Sequence, residues 1–170
     1  MADQLYRNRG DGQFDDIAKA AGVASMEGNR TALWFDYDGD RDHDLLVVND
    51  ESDLNSNKPT RASSFILYRQ YEDARFEDVT LEAGLFIPLG KPGLTFFGLA
   101  DFPSNRAGLC AGDINNDGYL DIFAPTWRSK NQLFLNNGDG TFSDISESSG
   151  IGVAWESTHQ GVFLDFDRDG

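Results

Sequence analysis

The strongest constraint on this chain is a run of carboxylates on alternate residues, Asp36-Tyr37-Asp38-Gly39-Asp40-Arg41-Asp42-His43-Asp44. In an extended strand alternate side chains share a face, so the run would line up five like charges and repel itself. A hard divalent cation at its centre removes that conflict. Calcium takes roughly six to eight oxygen ligands, and Asp residues spaced by turn formers supply them. The run also recurs. Asp113-Ile114-Asn115-Asn116-Asp117-Gly118-Tyr119-Leu120-Asp121 repeats it, and Asp165-Phe166-Asp167-Arg168-Asp169-Gly170 begins it a third time.

The rest of the chain repeats with it. Phe14-Asp15-Asp16-Ile17 returns as Phe76-Glu77-Asp78-Val79 and Phe142-Ser143-Asp144-Ile145, at offsets of 62 and then 66 residues. Leu5-Tyr6-Arg7, Leu67-Tyr68-Arg69 and Leu133-Phe134-Leu135 keep those offsets, as do Ala21-Gly22-Val23, Ala83-Gly84-Leu85 and Ser149-Gly150-Ile151. Each unit therefore reads as an apolar strand, a tight turn, a strand starting at Phe, a Gly-ended turn, a strand entering an Asp run and a strand leaving it. Asn136-Asn137-Gly138-Asp139-Gly140 and Asn8-Arg9-Gly10-Asp11-Gly12 are hairpin turns with two glycines each. The middle copy, Gln70-Tyr71-Glu72-Asp73-Ala74, has none and must turn differently.

Residues 32–35, 108–112 and 161–164 are the short apolar strands that enter the runs, and 45–49 and 122–124 leave them. Four short antiparallel strands per unit, with no helical period, predict an all-β chain of propeller blades. The boundaries fall as the end of one blade at 1–31, a blade at 32–85, a blade at 86–151 with an insertion at 86–107, and a truncated blade at 152–170. Propellers usually close with about four to eight blades, so the strand count predicts a piece of a larger propeller. Residues 50–64 read as a polar loop, and 86–107 as a decorative insertion.

Charge and composition narrow the partners. The formal charge of −15 argues against nucleic acid, whose phosphates need basic patches. Eleven of the 29 acidic residues sit in the three Asp runs, so the acidity is localised and cation-seeking. With 13 Phe and 39% apolar residues the chain can build a core. The single cysteine, Cys110, permits no intrachain disulfide and reads as a small buried side chain. No run of eighteen apolar residues occurs, so no membrane-inserted helix is expected. The first residues lack the pattern of a secretory leader.

As nine-residue calcium loops, the first run offers the side chains of Asp36, Asp38, Asp40 and Asp44 and the carbonyl of Asp42. The second offers Asp113, Asn115, Asp117 and Asp121 with the carbonyl of Tyr119, and the third begins with Asp165, Asp167 and Asp169. At least two complete sites are expected, the third being incomplete. Gly118 stands where the chain must turn sharply, a place that Arg41 fills under strain in the first loop. An EF-hand shares the opening Asp spacing but needs Glu at position twelve, where this chain has Val47 and Ala124, and needs flanking helices.

These repeats resemble the FG-GAP/VCBS family of calcium-binding blades, known from integrin α-subunit propellers. The resemblance rests on residues 111–121 and on Asn136-Asn137-Gly138-Asp139-Gly140-Thr141-Phe142 with Asp144-Ile145, the latter most similar to the cartilage-acidic-protein/ASPIC-UnbV branch. It implies a secreted, periplasmic or surface protein that binds a protein or glycan in adhesion, with calcium as structural cement and no catalysis. Arg41 and His43 depart from the family pattern.

Other readings compete for single motifs. Phe35-Asp36-Tyr37-Asp38-Gly39 resembles the nucleophile strand of haloacid-dehalogenase phosphatases, in which Asp36 would be the nucleophile and Asp38 its acid/base partner on magnesium. That reading requires alternating strands and helices and leaves three copies unexplained. A propeller lyase or hydrolase acting on polysaccharide would need a base, for which His43 and His159 are the histidines available. Arg9-Gly10-Asp11 spells an integrin-recognition tripeptide, but turn chemistry accounts for it. Asn29-Arg30-Thr31 fits a glycosylation acceptor, and Trp34, Trp127 and Trp155 read as blade packing.

Overall fold

The computed structural model describes residues 2–24, 29–49, 65–85, 108–153 and 156–167. The segments 50–64 and 86–107, Asp169, Trp155 and the side chain of Trp127 lie outside the described residues.

Leu45-Leu46-Val47-Val48 is apolar without alternation, the pattern of a strand covered on both faces. The chain opens with the hairpin β1 (Tyr6–Asn8) and β2 (Phe14–Asp16) and the single helical turn α1 (Ala18–Ala21). There follow β3 (Asn29–Phe35), β4 (Asp44–Asn49), β5 (Phe65–Glu72) and β6 (Arg75–Asp78), which form one antiparallel sheet in chain order. Every residue of β4 is buried. The second sheet is built the same way from β7 (Cys110–Gly112), β8 (Asp121–Ala124), β10 (Gln132–Asn136) and β11 (Phe142–Asp144). Between its middle strands β9 (Trp127–Ser129) leaves to pair with β12 (Glu156–Ser157). The architecture is therefore all-β, in four-stranded antiparallel propeller blades.

Register repeats as closely as sequence. Tyr68 stands opposite Leu45 and Asp78, and Phe134 opposite Ile122 and Asp144. In the first hairpin Tyr6 stands opposite Asp16. Because side chains alternate along a strand, each sheet presents two apolar faces. Leu46, Val48, Phe65 and Leu67 meet Ile122, Ala124 and Phe134 of the second sheet in one core. Leu45, Val47, Ile66 and Tyr68 meet Ala18, Ala21 and Val23 in another. The rings of Phe65 and Phe134 lie edge to face at 5.7 Å. Burying such a side chain contributes about 1.5–3 kcal/mol, so the blades are held by stacked faces.

Turn chemistry explains the joints. In the first and third hairpins, Asn8 Oδ1 and Asn136 Oδ1 accept the Gly10 and Gly138 N–H at 2.8 and 2.9 Å. Asp11 and Asp139 likewise accept the N–H two residues on. The glycine-free middle hairpin does differ: β5 runs to Glu72, and Asp73-Ala74 turns the chain with Ala74 at φ 52°.

Past each hairpin the expected Gly-ended turn is present, closing at Gly22, Gly84 and Gly150 with φ 87°, 73° and 83°, and in the first unit it is the single helical turn α1. Ala21, Ala83 and Ser149 N–H donate to the carbonyls of Ile17, Val79 and Ile145. Asp16, Asp78 and Asp144 start these turns by accepting the N–H two residues on, and the hydroxyls of Thr80 and Ser146 in turn accept the Leu67 and Leu133 N–H. Ala18 has no hydroxyl, and there Leu5 N–H reaches Asp16 itself at 3.3 Å.

One expected strand is absent. Residues 161–164 pair with no described strand. They lie against the second sheet, with Phe163 over Gly112 and Gly161 over Phe123, where a Cβ on either glycine would come within 2.6 Å of a ring atom.

The two complete Asp loops share a backbone conformation. Gly39 and Asn116 occupy one left-handed position at φ 80° and 59°, and Arg41 and Gly118 the other at φ 76° and 88°. A side chain at positive φ costs about 1–2 kcal/mol, partly offset by the lower chain entropy of a non-glycine residue when unfolded. Arg41→Gly is expected to raise unfolding stability by about 0.5–1 kcal/mol and Gly118→Ala to lower it by at least as much. Urea denaturation checks both, and opposite signs would contradict the shared conformation.

Candidate metal centre

The loops leave the edge strand that opens each sheet and return on the next one. Asp36 follows the end of β3, and Asp44 opens β4. Within the first loop the carboxylates are arranged by backbone N–H groups. Asp36 accepts from Gly39 and Arg41 at 2.8 and 3.0 Å, Asp38 from Asp40 at 3.3 Å, and Asp40 from Asp42 at 2.8 Å. One oxygen from each of Asp36, Asp38 and Asp40 lies within 4.8 Å of the others. At that separation each pair of charges repels by about 1 kcal/mol in bulk water and by several near a protein surface.

The second loop repeats the wiring. Asp113 accepts from Asp117 and Gly118 at 3.2 and 2.8 Å, Asn115 Oδ1 from Asp117 at 3.1 Å, and Asp117 from Tyr119 at 2.8 Å. Asn115 Nδ2 also donates to Asp117 Oδ2 at 2.8 Å, so an amide takes the place of one carboxylate. The Gly118 N–H holds Asp113 below its ordinary pKa. Asp38 in the first loop is pushed up, by burial first and then by Asp40.

The ninth position of each loop stands apart. Asp44 and Asp121 are 0% exposed. Asp44 Oδ2 accepts from Tyr37 of its own loop at 3.1 Å and Oδ1 from Gln70 of the next strand at 2.9 Å. Asp121 matches it, accepting from Ile114 and Asn136 at 2.9 and 2.8 Å. Burial pushes Asp44 up to about 6, against the two N–H donors, with Asp38 and Asp40 adding to the rise. Burial raises Asp121 too. Each carboxylate oxygen keeps a second lone pair, so neither carboxylate is used up by these bonds. Asp42 is exposed, and Tyr119 is half-buried.

The donor set fits a hard divalent cation: clustered carboxylates, an amide oxygen and backbone carbonyls. The third run lies beside the second loop. Asp165 and Asp167 are exposed and line a cavity of about 330 Å³ with Asp113, Ile114, Phe163 and Phe166.

Spacing alone did not reveal Asn136 or the strand-end N–H of Gln70, although both follow a readable signal. Asn8, Gln70 and Asn136 occupy one position of the repeat. The tripeptide Arg9-Gly10-Asp11 is built into its hairpin, with Arg9 Nε donating to Asp15 Oδ2 at 2.8 Å and Asp11 receiving Gln13 N–H. The longest helix among the described residues is the single turn Ala18–Ala21. The sheets are antiparallel, which removes both the EF-hand and the haloacid-dehalogenase arrangement.

Comparison with known proteins agrees with this architecture. Residues 1–47 and 113–170 match the model of the FG-GAP-like repeat, well over half of the chain. Cartilage acidic protein 1 of Xenopus tropicalis is 38% identical over 73 residues, covering 43% of this chain and 11% of that protein. The human and mouse proteins of that name are 28% and 26% identical over 161 and 157 residues. Each of those alignments covers 92% of this chain and 22% of the relative, so the chain spans about a fifth of their length. On the repeat match and the four-stranded sheets that carry it, the chain belongs to the FG-GAP-like repeat family.

Proposed function

We propose that this chain is a calcium-binding repeat scaffold of an extracellular, periplasmic or cell-surface protein, whose blades present a protein or glycan partner with a binding surface. The convergence of Asp36, Asp38 and Asp40 within 4.8 Å carries the calcium reading. Asp42 by its carbonyl and Asp44 would complete that site. Asp113, Asn115, Asp117, the Tyr119 carbonyl and Asp121 would hold a second ion, and Asp165, Asp167 and Asp169 would contribute to a third. Bound calcium supplies the positive charge that offsets carboxylate repulsion. The residues around it order the loop backbone and so fix the strand ends of each blade.

The location draws on the relatives, whose name places an acidic protein in cartilage, and the binding role on the repeat family. The charge of −15 fits that name and disfavours nucleic acid. Among the described residues no helix is long and apolar enough to cross a membrane. His43 and His159 are both exposed, so neither is held where a general base would need a fixed orientation.

Millimolar calcium is expected to stabilise the chain by about 2–4 kcal/mol over chelator when free metal exceeds Kd by a hundred- to a thousandfold. Equal melting temperatures in the two conditions would overturn the reading. Asp121→Ala should destabilise the chain even in chelator, since the buried Asn136 N–H loses its acceptor at about 1–3 kcal/mol and the part-buried Ile114 N–H loses its own at less. Asn115→Ala should leave stability in chelator within about 0.5 kcal/mol and lower only calcium affinity. Calorimetry with and without metal separates the two effects.

Proton and cation should also compete. Asp44 has a folded pKa of about 6 against an ordinary 3.8, so the native state holds its proton more tightly than the unfolded chain. The resulting stabilisation is complete below the ordinary value and is lost as pH rises through about 6. In chelator, the Asp44 carboxyl carbon should titrate near pH 6. The melting temperature should drop between about pH 4 and 6 relative to the same chain in calcium, and calcium affinity should weaken below about pH 6. A midpoint at or below the ordinary carboxylate value would contradict the buried latch.

A further inference from the structure

The first and second loops belong to different blades, yet they touch through two side chains that lie between them. Asn136, at the end of β10, is 1% exposed. Its N–H donates to Asp121 at 2.8 Å, and its Nδ2 donates to the Leu120 carbonyl at 3.3 Å, both in the second loop. The same Nδ2 donates at 2.8 Å to the carbonyl of Tyr37, a residue 99 positions away in the first loop. Tyr37 in turn donates its N–H to Asp44 at 3.1 Å. A continuous path therefore joins the two buried ninth-position carboxylates through Tyr37 and Asn136.

The second link is steric. The Tyr119 ring, from the second loop, lies against Gly39 of the first loop and Gly138 of the hairpin. A Cβ on Gly39 would sit 3.4 Å from Tyr119 Cε1, and one on Gly138 2.7 Å from Cε2. The Tyr37 ring stacks on Phe142 of the second sheet at 6.2 Å, which fixes the first loop against the second blade.

We propose that the two loops bind cations cooperatively, with Asn136 and Tyr119 as positioning residues that pass order from one loop to the other. The inference rests on the calcium reading above. A cation in the first loop fixes the Tyr37 carbonyl and Gly39. These hold Asn136 and Tyr119, which place Asp121 and the Tyr119 carbonyl for the second ion. The second ion then binds a loop whose ordering cost has been met in part. Direct electrostatics has the opposite sign, because two nearby cations repel. Positive coupling therefore diagnoses the structural path.

The test is a calcium titration of ¹⁵N-labelled chain at about 0.15 M salt, where surface charges are largely screened. The Gly39 amide reports the first loop and the Gly118 amide the second. Asp38→Ala disables the first loop. Calcium affinity read at Gly118 is then expected to fall at least about fivefold, the lower range of measured couplings. In an Asn136→Ala background the same Asp38→Ala change is expected to shift that affinity less than about twofold. Should Asn136→Ala not fold, Tyr119→Leu removes the ring from Gly39 while retaining the carbonyl, and is expected to at least halve the coupling factor. An affinity at Gly118 that is unchanged or tighter in Asp38→Ala overturns cooperativity and leaves calcium binding intact. A full coupling factor in the variant backgrounds overturns the roles of Asn136 and Tyr119. No calcium shift at either amide of the unmodified chain removes the calcium reading and the coupling with it.

Discussion

Each complete blade depends on one buried carboxylate. Asp44 and Asp121 are 0% exposed, and each joins three parts of its blade: the strand it opens, the loop before it, and the end of the neighbouring strand. A buried charge without partners would be strongly destabilising, and two backbone N–H donors offset part of that cost. They do not offset all of it, as the upward displacement of both groups shows. The remainder is a standing attraction for positive charge at the loop. A blade joined through an incompletely compensated buried carboxylate is thus one whose stability depends on the charge state of that group.

Around that latch the repeat reuses a small set of local solutions. An Asn at the hairpin start closes the turn, a later Asp starts the Gly-ended turn, and a Thr or Ser hydroxyl returns to the strand before it. Where a residue is missing, a neighbour substitutes: Asp16 bonds Leu5 directly because Ala18 has no hydroxyl. These bonds are local, so each unit specifies its own register. The apolar faces then need only to stack, and a T-shaped pair such as Phe65 with Phe134 sets how they meet.

This explains which features could be read from the chain and which could not. Strands were legible where apolar residues ran beside an Asp cluster, as at Leu45-Leu46-Val47-Val48, and hairpins where Asn and paired glycines marked a turn. The conformation at Arg41 was legible as well, because Gly118 fills the same place in the second loop and Arg41 does adopt positive φ. The Gly-ended turns after the hairpins were legible, but the helical form of the first one escaped, since a single turn of four residues carries no period. Residues 161–164 looked like a strand because they are apolar, yet apolarity shows that a segment is covered and does not show what pairs with it. Asn136 escaped for another reason. Its work lies in a contact with Tyr37, 99 residues away, and pattern along the chain is silent about partners at that distance.

The two loops solve one problem with opposite economies. The first carries carboxylates at all four side-chain positions and holds Arg41 at φ 76°, so it concentrates charge on a strained backbone. The second exchanges one carboxylate for Asn115, whose amide donates to Asp117, and places Gly118 at the sharp turn. It is the less repulsive of the two without metal, whereas the first already brings three carboxylates within 4.8 Å of one another. Greater charge favours cation affinity, while preformed geometry lowers the cost of ordering. The first loop consequently has more to gain from a cation, and its backbone is the one that Asn136 and Tyr119 grip from the second blade. A highly charged loop that holds Arg41 at positive φ is thus braced from the neighbouring blade by one hydrogen bond and one ring contact.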